Sequence, residues 1–168
     1  VEYRLATFAL QSIAAVVLFV ILTVFYLRGQ KGGKLRDGDA CLIFLMLYGC
    51  TQVVLDSTRY DSLFFRSNGF VSVVQVLGAL GLALAVVVFA RRMVKARGFR
   101  AWNIFLWLLI ALALTGAGYM EYYVQRRGNE ALFAYSVMSA CLLAASALTL
   151  FMRALAVRVE KRYYGTDD

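Results

Sequence analysis

Residues 6–27, 70–90, 102–119 and 131–152 contain no charged side chain at all. Each of these runs is close to the roughly 20 residues that a helix needs to cross a hydrocarbon layer about 30 Å thick. A fifth run, about 40–58, is apolar in its first half and polar in its second. In lipid the backbone must satisfy its own hydrogen bonds, so runs of this length and order are helices. The expected fold is therefore an all-α membrane protein with about five transmembrane helices. The composition agrees: the chain is 62% hydrophobic and has neither proline nor histidine.

The charged residues lie between the runs. Arg28, Lys31, Lys34 and Arg36 follow the first run; Arg91, Arg92, Lys95, Arg97 and Arg100 follow the third. The tail carries Arg153, Arg158, Lys161 and Arg162, whereas the connections after the second and fourth runs are poorer in Lys and Arg, with acids beside them. Basic connections stay in the cytoplasm, which puts the N-terminus outside and the C-terminus inside. The net charge of +8 is then a matter of cytoplasmic loops and anionic lipid, and no nucleic acid is expected. The tail reads as a solvated basic end, with a short amphipathic helix on the inner leaflet as the less favoured alternative. Phe64 and Phe65, and Tyr119, Tyr122 and Tyr123, suit the headgroup boundary. Gly81 with Ala85, and Ser136 with Ala140 and Ala144, offer small-residue surfaces for helix packing. Cys41, Cys50 and Cys141 sit in apolar runs without a C-x-x-C pair, and read as free core residues. Without histidine no metal site is expected, and no cofactor is implied. The stretch from Val1 lacks a basic n-region and a cleavage site, so it is not expected to be a signal peptide, and a segment N-terminal to it is expected to be missing.

The second run holds the candidate site. Tyr48, Gln52, Asp56 and Arg59 are spaced by four, four and three residues, which places them on one stripe of a helix. Gln75 is the strong polar residue of the third run. A polar stripe at membrane depth is costly unless it faces protein, water or a ligand. Two readings stay open on the residues alone. Asp56 and Arg59 can form an interfacial ion pair worth about 0–1 kcal/mol, with Gln52 and Gln75 as interhelical hydrogen bonds. Alternatively the stripe binds a ligand.

The run Gly38-Asp39, Leu47-Tyr48-Gly49, Gln52, Asp56, Arg59-Tyr60-Asp61-Ser62-Leu63 and Val73-Val74-Gln75 resembles the prolipoprotein diacylglyceryl transferases. Their C-terminal region reads Tyr-Gly-x-x-Arg-Phe-x-x-Glu-x-x-Arg-x-Asp-Ser-Leu, and the spacing here matches without gaps from Tyr48 to Leu63. The resemblance covers the first three helices. It implies a multi-pass protein of the bacterial inner membrane. It also implies transfer of diacylglyceryl from phosphatidylglycerol to the lipobox cysteine of a prolipoprotein, with glycerol phosphate leaving. On this basis residues 1–92 form a transferase-like three-helix region and 93–168 a two-helix extension with a basic cytoplasmic tail. Tyr48, Gln52, Asp56, Arg59 and Gln75 are the expected headgroup-binding residues; the catalytic residues are not identified.

The departures from the family pattern are specific. Gln52 stands where the family has arginine; it can hydrogen-bond a phosphate but cannot neutralise it. Asp56 replaces a glutamate. The family's upstream glycine-rich signature and catalytic histidine have no counterpart in these residues. Two readings follow: a non-catalytic, lipid-binding relative, which the departures favour, or the C-terminal fragment of an active transferase. A small transporter or channel subunit would need inverted repeats or interrupted helices, and neither is visible.

Overall fold

The computed structural model describes residues 7–33, 35–58, 72–127 and 131–164. Its elements are all helices: α1 (Thr7–Lys31), α2 (Asp39–Ser57), α3 (Val73–Arg97), α4 (Ala101–Arg127) and α5 (Ala131–Tyr164). All five are long and apolar enough to cross a membrane. The chain divides into two compact units, Val1–Ala83 and Leu84–Asp168, with the division inside α3.

In the first unit α1 turns back into α2, and the two helices pack together. Gly33 and Gly38 take positive φ in this turn, a conformation that costs glycine no Cβ clash. Gly38 directly precedes α2, and the Asp39 carboxylate accepts the Arg36 backbone N–H at 3.4 Å. An acid in the first turn also suits the positive end of the helix dipole. Most of α1 is exposed, including Phe8, Val16 and Phe19, as lipid-facing surface would be. The start of α3 meets α2 through glycine. A Cβ placed on Gly49 would lie 2.3 Å from the Gly78 carbonyl oxygen, and one on Gly78 would lie 2.9 Å from the Gly49 oxygen. Only glycine on both sides permits this approach. Gly81, from the expected small-residue surface, faces the Leu45 backbone, where an added Cβ would make ordinary contact.

In the second unit α4 packs along α5 around Met93, Leu106, Ile110, Ala145, Met152 and Ala156. Between α3 and α4 the chain turns at Gly98, whose φ is +75 and whose N–H bonds the Val94 carbonyl at 2.8 Å. Buried Asn103 donates its side-chain amide to the Gly98 carbonyl at 3.1 Å and so closes the turn. Apolar burial inside lipid gains little from the hydrophobic effect, so this core is held by packing.

Several expectations need correction. The helices run past the first basic residues: α3 ends at Arg97, α4 at Arg127 and α5 at Tyr164. Lys and Arg are good helix formers, and their stems can lie along apolar surface while the charge reaches water. The tail is thus a continuation of α5 at least to Tyr164, neither a loose end nor a separate helix. Ser136, Ala140 and Ala144 are exposed, and the small residues α5 buries are Ala134, Ala145, Ser146 and Ala156. All three cysteines are free; Cys50 is buried, Cys141 partly so, and Cys41 is exposed rather than in the core.

Candidate functional site

Gln52, Asp56 and Gln75 are all buried, and the first unit joins them to two residues that the stripe did not include, Gln11 and Ser72. Gln52 and Asp56 lie one turn apart on the buried face of α2. Across from Asp56, α3 begins with Ser72-Val73-Val74-Gln75. The Ser72 hydroxyl accepts the Gln75 backbone N–H at 3.1 Å, and the Gln75 side-chain oxygen accepts the Ser72 N–H at 2.9 Å. This reciprocal arrangement is a capping box, and it satisfies donors that a helix start otherwise leaves orphaned.

The box is also tied to α2. The Ser72 hydroxyl donates to an Asp56 carboxylate oxygen, and the Gln75 amide donates to the Val53 carbonyl at 3.3 Å. One turn earlier on the same helix, Gln11 donates from α1 to the Gln52 side-chain oxygen at 3.3 Å. Membrane interhelical hydrogen bonds average about 0.6 kcal/mol each, so the set contributes through number and position rather than any single bond.

The electrostatics assign Asp56 a definite place. Its carboxylate lies at the N-terminus of α3, where the helix dipole and free N–H groups favour an anion. That position is filled by the chain's own acid, so an incoming phosphate needs a different cation. Gln52 gives its oxygen to Gln11 and retains an uncharged amide donor. Tyr48 is on the flank: it is 43% exposed and stacks on Phe44, with ring centroids 5.3 Å apart. Gly49, not Tyr48, takes the buried position at that level. Thr58 closes α2, its hydroxyl donating to the Leu55 carbonyl at 2.6 Å. Arg59 and the aromatic connection that follows it lie outside the described residues. Among the described residues no three Asp, Glu or Cys side chains gather as a metal site would require.

Ser72 had a readable signal, since Ser-x-x-Gln ahead of an apolar run marks a helix start. Its bond to Asp56 had none, because it joins residues of different helices. Gln11 was visible as a polar residue near the start of the first run, but its partner was not.

The comparisons with known proteins fall on this unit. The family model for prolipoprotein diacylglyceryl transferase matches residues 2–91. A protein named phosphatidylglycerol–prolipoprotein diacylglyceryl transferase from Streptococcus equi subsp. zooepidemicus is 32% identical over 91 residues, covering 54% of this chain and 33% of the relative. Proteins of the same name from Streptococcus uberis and Lactococcus lactis subsp. cremoris are each 33% identical over 94 residues, covering 34% of the relative in both cases. The chain thus spans about a third of the length of the curated relatives it matches. No solved structure gives a significant match. The matched segment contains the whole α2–α3 polar cluster, and the chain belongs to the prolipoprotein diacylglyceryl transferase family.

Proposed function

We propose that this protein is a membrane-embedded member of the family that binds a phospholipid headgroup at the end of α2, using Tyr48, Gln52, Asp56, Arg59 and Gln75. The names of its relatives point to phosphatidylglycerol as the lipid and to a prolipoprotein as a second partner. The carrying observation is the buried Asp56–Ser72–Gln75 cluster inside the family-matched segment. It fixes the end of α2, and Arg59 follows directly on the residue that closes that helix. In this reading Arg59 supplies the cation for the phosphate, Gln52 a neutral donor, and Asp56 the fixed frame. Tyr48 borders the site from the lipid side.

The charge pattern supports an outward N-terminus and a cytoplasmic tail in the bacterial inner membrane. Residues 1–92 form the transferase-like region and 93–168 an extension. The 168 residues alone do not catalyse transfer in this reading. A cysteine thiol has a reference pKa of about 8.5, so attack near neutral pH needs a base to activate it. The chain has no histidine, and Gln52 stands where the family places an arginine. In the second reading these residues are the C-terminal piece of an active phosphatidylglycerol–prolipoprotein diacylglyceryl transferase, in keeping with the third of the relatives' length that they span. Robust transfer to a lipobox peptide by this chain alone would decide for catalysis.

The binding reading is tested by titrating the purified protein with phosphatidylglycerol and counting bound lipid by native mass spectrometry. Arg59→Ala is expected to weaken binding about tenfold, as loss of a charge-assisted contact does. Arg158→Ala should change it less than about twofold. Equal losses would leave only general charge attraction and remove the site.

A further inference from the structure

We infer that the C-terminal end of α4 carries a second lipid site, one that takes the phosphodiester headgroup of an anionic membrane lipid on Tyr119, Tyr122, Tyr123 and Arg126. These residues lie in the second unit, outside the family-matched segment, and the site does not depend on the function proposed for α2. They line one open depression of about 350 Å³. Their spacing of three, one and three residues puts them on a single helix face. Glu121 falls on the other side of α4 and is buried, so its carboxylate is not among the lining groups.

Depth favours a headgroup. The 27 residues of α4 make a helix of roughly 40 Å, against a hydrocarbon layer of about 30 Å. With the apolar part starting at Trp102, the last two turns reach the headgroup layer, where tyrosine is enriched. The guanidinium of Arg126 lies 5.3 Å from the centre of the Tyr122 ring. A guanidinium held beside a ring keeps a fork of N–H donors that matches two oxygens of a phosphate. The phenols supply neutral donors for the remaining oxygens.

The surface below the depression separates a lipid from free phosphate. Leu108, Leu112 and Thr115 are all exposed, and they continue the stripe of Tyr119 and Tyr122 toward the apolar part of α4. Leu112 is 70% exposed and Leu108 64%. A phosphate-binding end above an open apolar stripe fits an amphiphile, with the acyl chain along the leucines. A soluble phosphate would use only the upper half.

The test is photo-crosslinking of the full chain in detergent micelles, using phosphatidylglycerol with a photoactivatable headgroup and mapping the modified peptides. Crosslinks are expected within residues 119–127. Arg126→Ala should reduce them about tenfold, Arg126→Lys should restore part of the yield, and Arg126→Glu should abolish it. Circular dichroism should show unchanged helicity in each variant, as expected at an exposed position. Excess unlabelled phosphatidylglycerol should compete, while diacylglycerol of the same chain length and inorganic phosphate should not. Unchanged yield in Arg126→Ala, or full competition by diacylglycerol, would overturn the site. Displacement by inorganic phosphate at the same concentration would overturn its assignment to a lipid.

Discussion

The two units solve helix association differently. In the first, α2 and α3 touch backbone to backbone at Gly49 and Gly78, and a capping box ties the α3 start to a carboxylate on α2. In the second, α4 and α5 enclose methionine, leucine and alanine, and the polar groups Asn103 and Thr149 are spent on nearby backbone carbonyls. In lipid, apolar side chains have little reason to prefer protein over acyl chains. Packing of that kind holds helices but leaves them tolerant of exchange among side chains of similar volume. Hydrogen bonds between helices and a glycine contact fix position far more narrowly. The unit that belongs to the family is the one built with narrow tolerances.

The comparison can be broken most sharply at Gly49. Gly49→Ala forces its Cβ against the Gly78 carbonyl and should destabilise the protein by about 2–3 kcal/mol, in the range for overpacking. Thermal unfolding in detergent would show this as a clear drop in midpoint. A variant as stable as the wild type would mean that the two helices do not need their close approach.

A smaller effect is expected at the cap. Ser72→Ala removes the N-cap oxygen and the Asp56 partner together, for a loss of about 1–2 kcal/mol. A double-mutant cycle with Asp56→Ala should return a coupling energy of about 0.6–1.7 kcal/mol. Additive losses would show that the two residues act independently.

The smallest change is expected at Gly118 on α4, where an added Cβ meets no atom within 4 Å. Gly118→Ala should be neutral or stabilise by up to about 1 kcal/mol through helix propensity. Measurable destabilisation there would show that the tolerance ascribed to the second unit is wrong.

The existence of the helices was legible because lipid demands long uninterrupted apolar runs. Their ends were less so: the first charged residue was read as the helix boundary, yet Arg91, Glu121 and Arg153 continue α3, α4 and α5. The buried side of α5 was misread because small residues occur around much of that helix, and a periodic pattern does not say which face meets lipid. In the candidate site, Gln52, Asp56 and Gln75 stood out as costly residues in an apolar setting. Tyr48 shared their spacing but lies at the exposed edge, because helical spacing fixes neighbours and not burial. Ser72 was overlooked because serine is common near helix starts. Only its contact with Asp56 gives it a special place.

The Asp56–Ser72 contact also bears on biogenesis. Its partners are sixteen residues apart, and the acid enters the bilayer first. An aspartate within a span opposes insertion, most strongly at mid-membrane. Of the first three spans α2 is also the least apolar. It is therefore expected to settle only when α3 arrives, so that the two enter as a pair. With α1 retained and on a cysteine-free background, a cysteine introduced as Ser62→Cys should be labelled from outside less in nascent chains stopped at residue 69 than in chains stopped at residue 97. Asp56→Leu should abolish that difference; a difference that survives the substitution would show that the acid does not set the order of insertion.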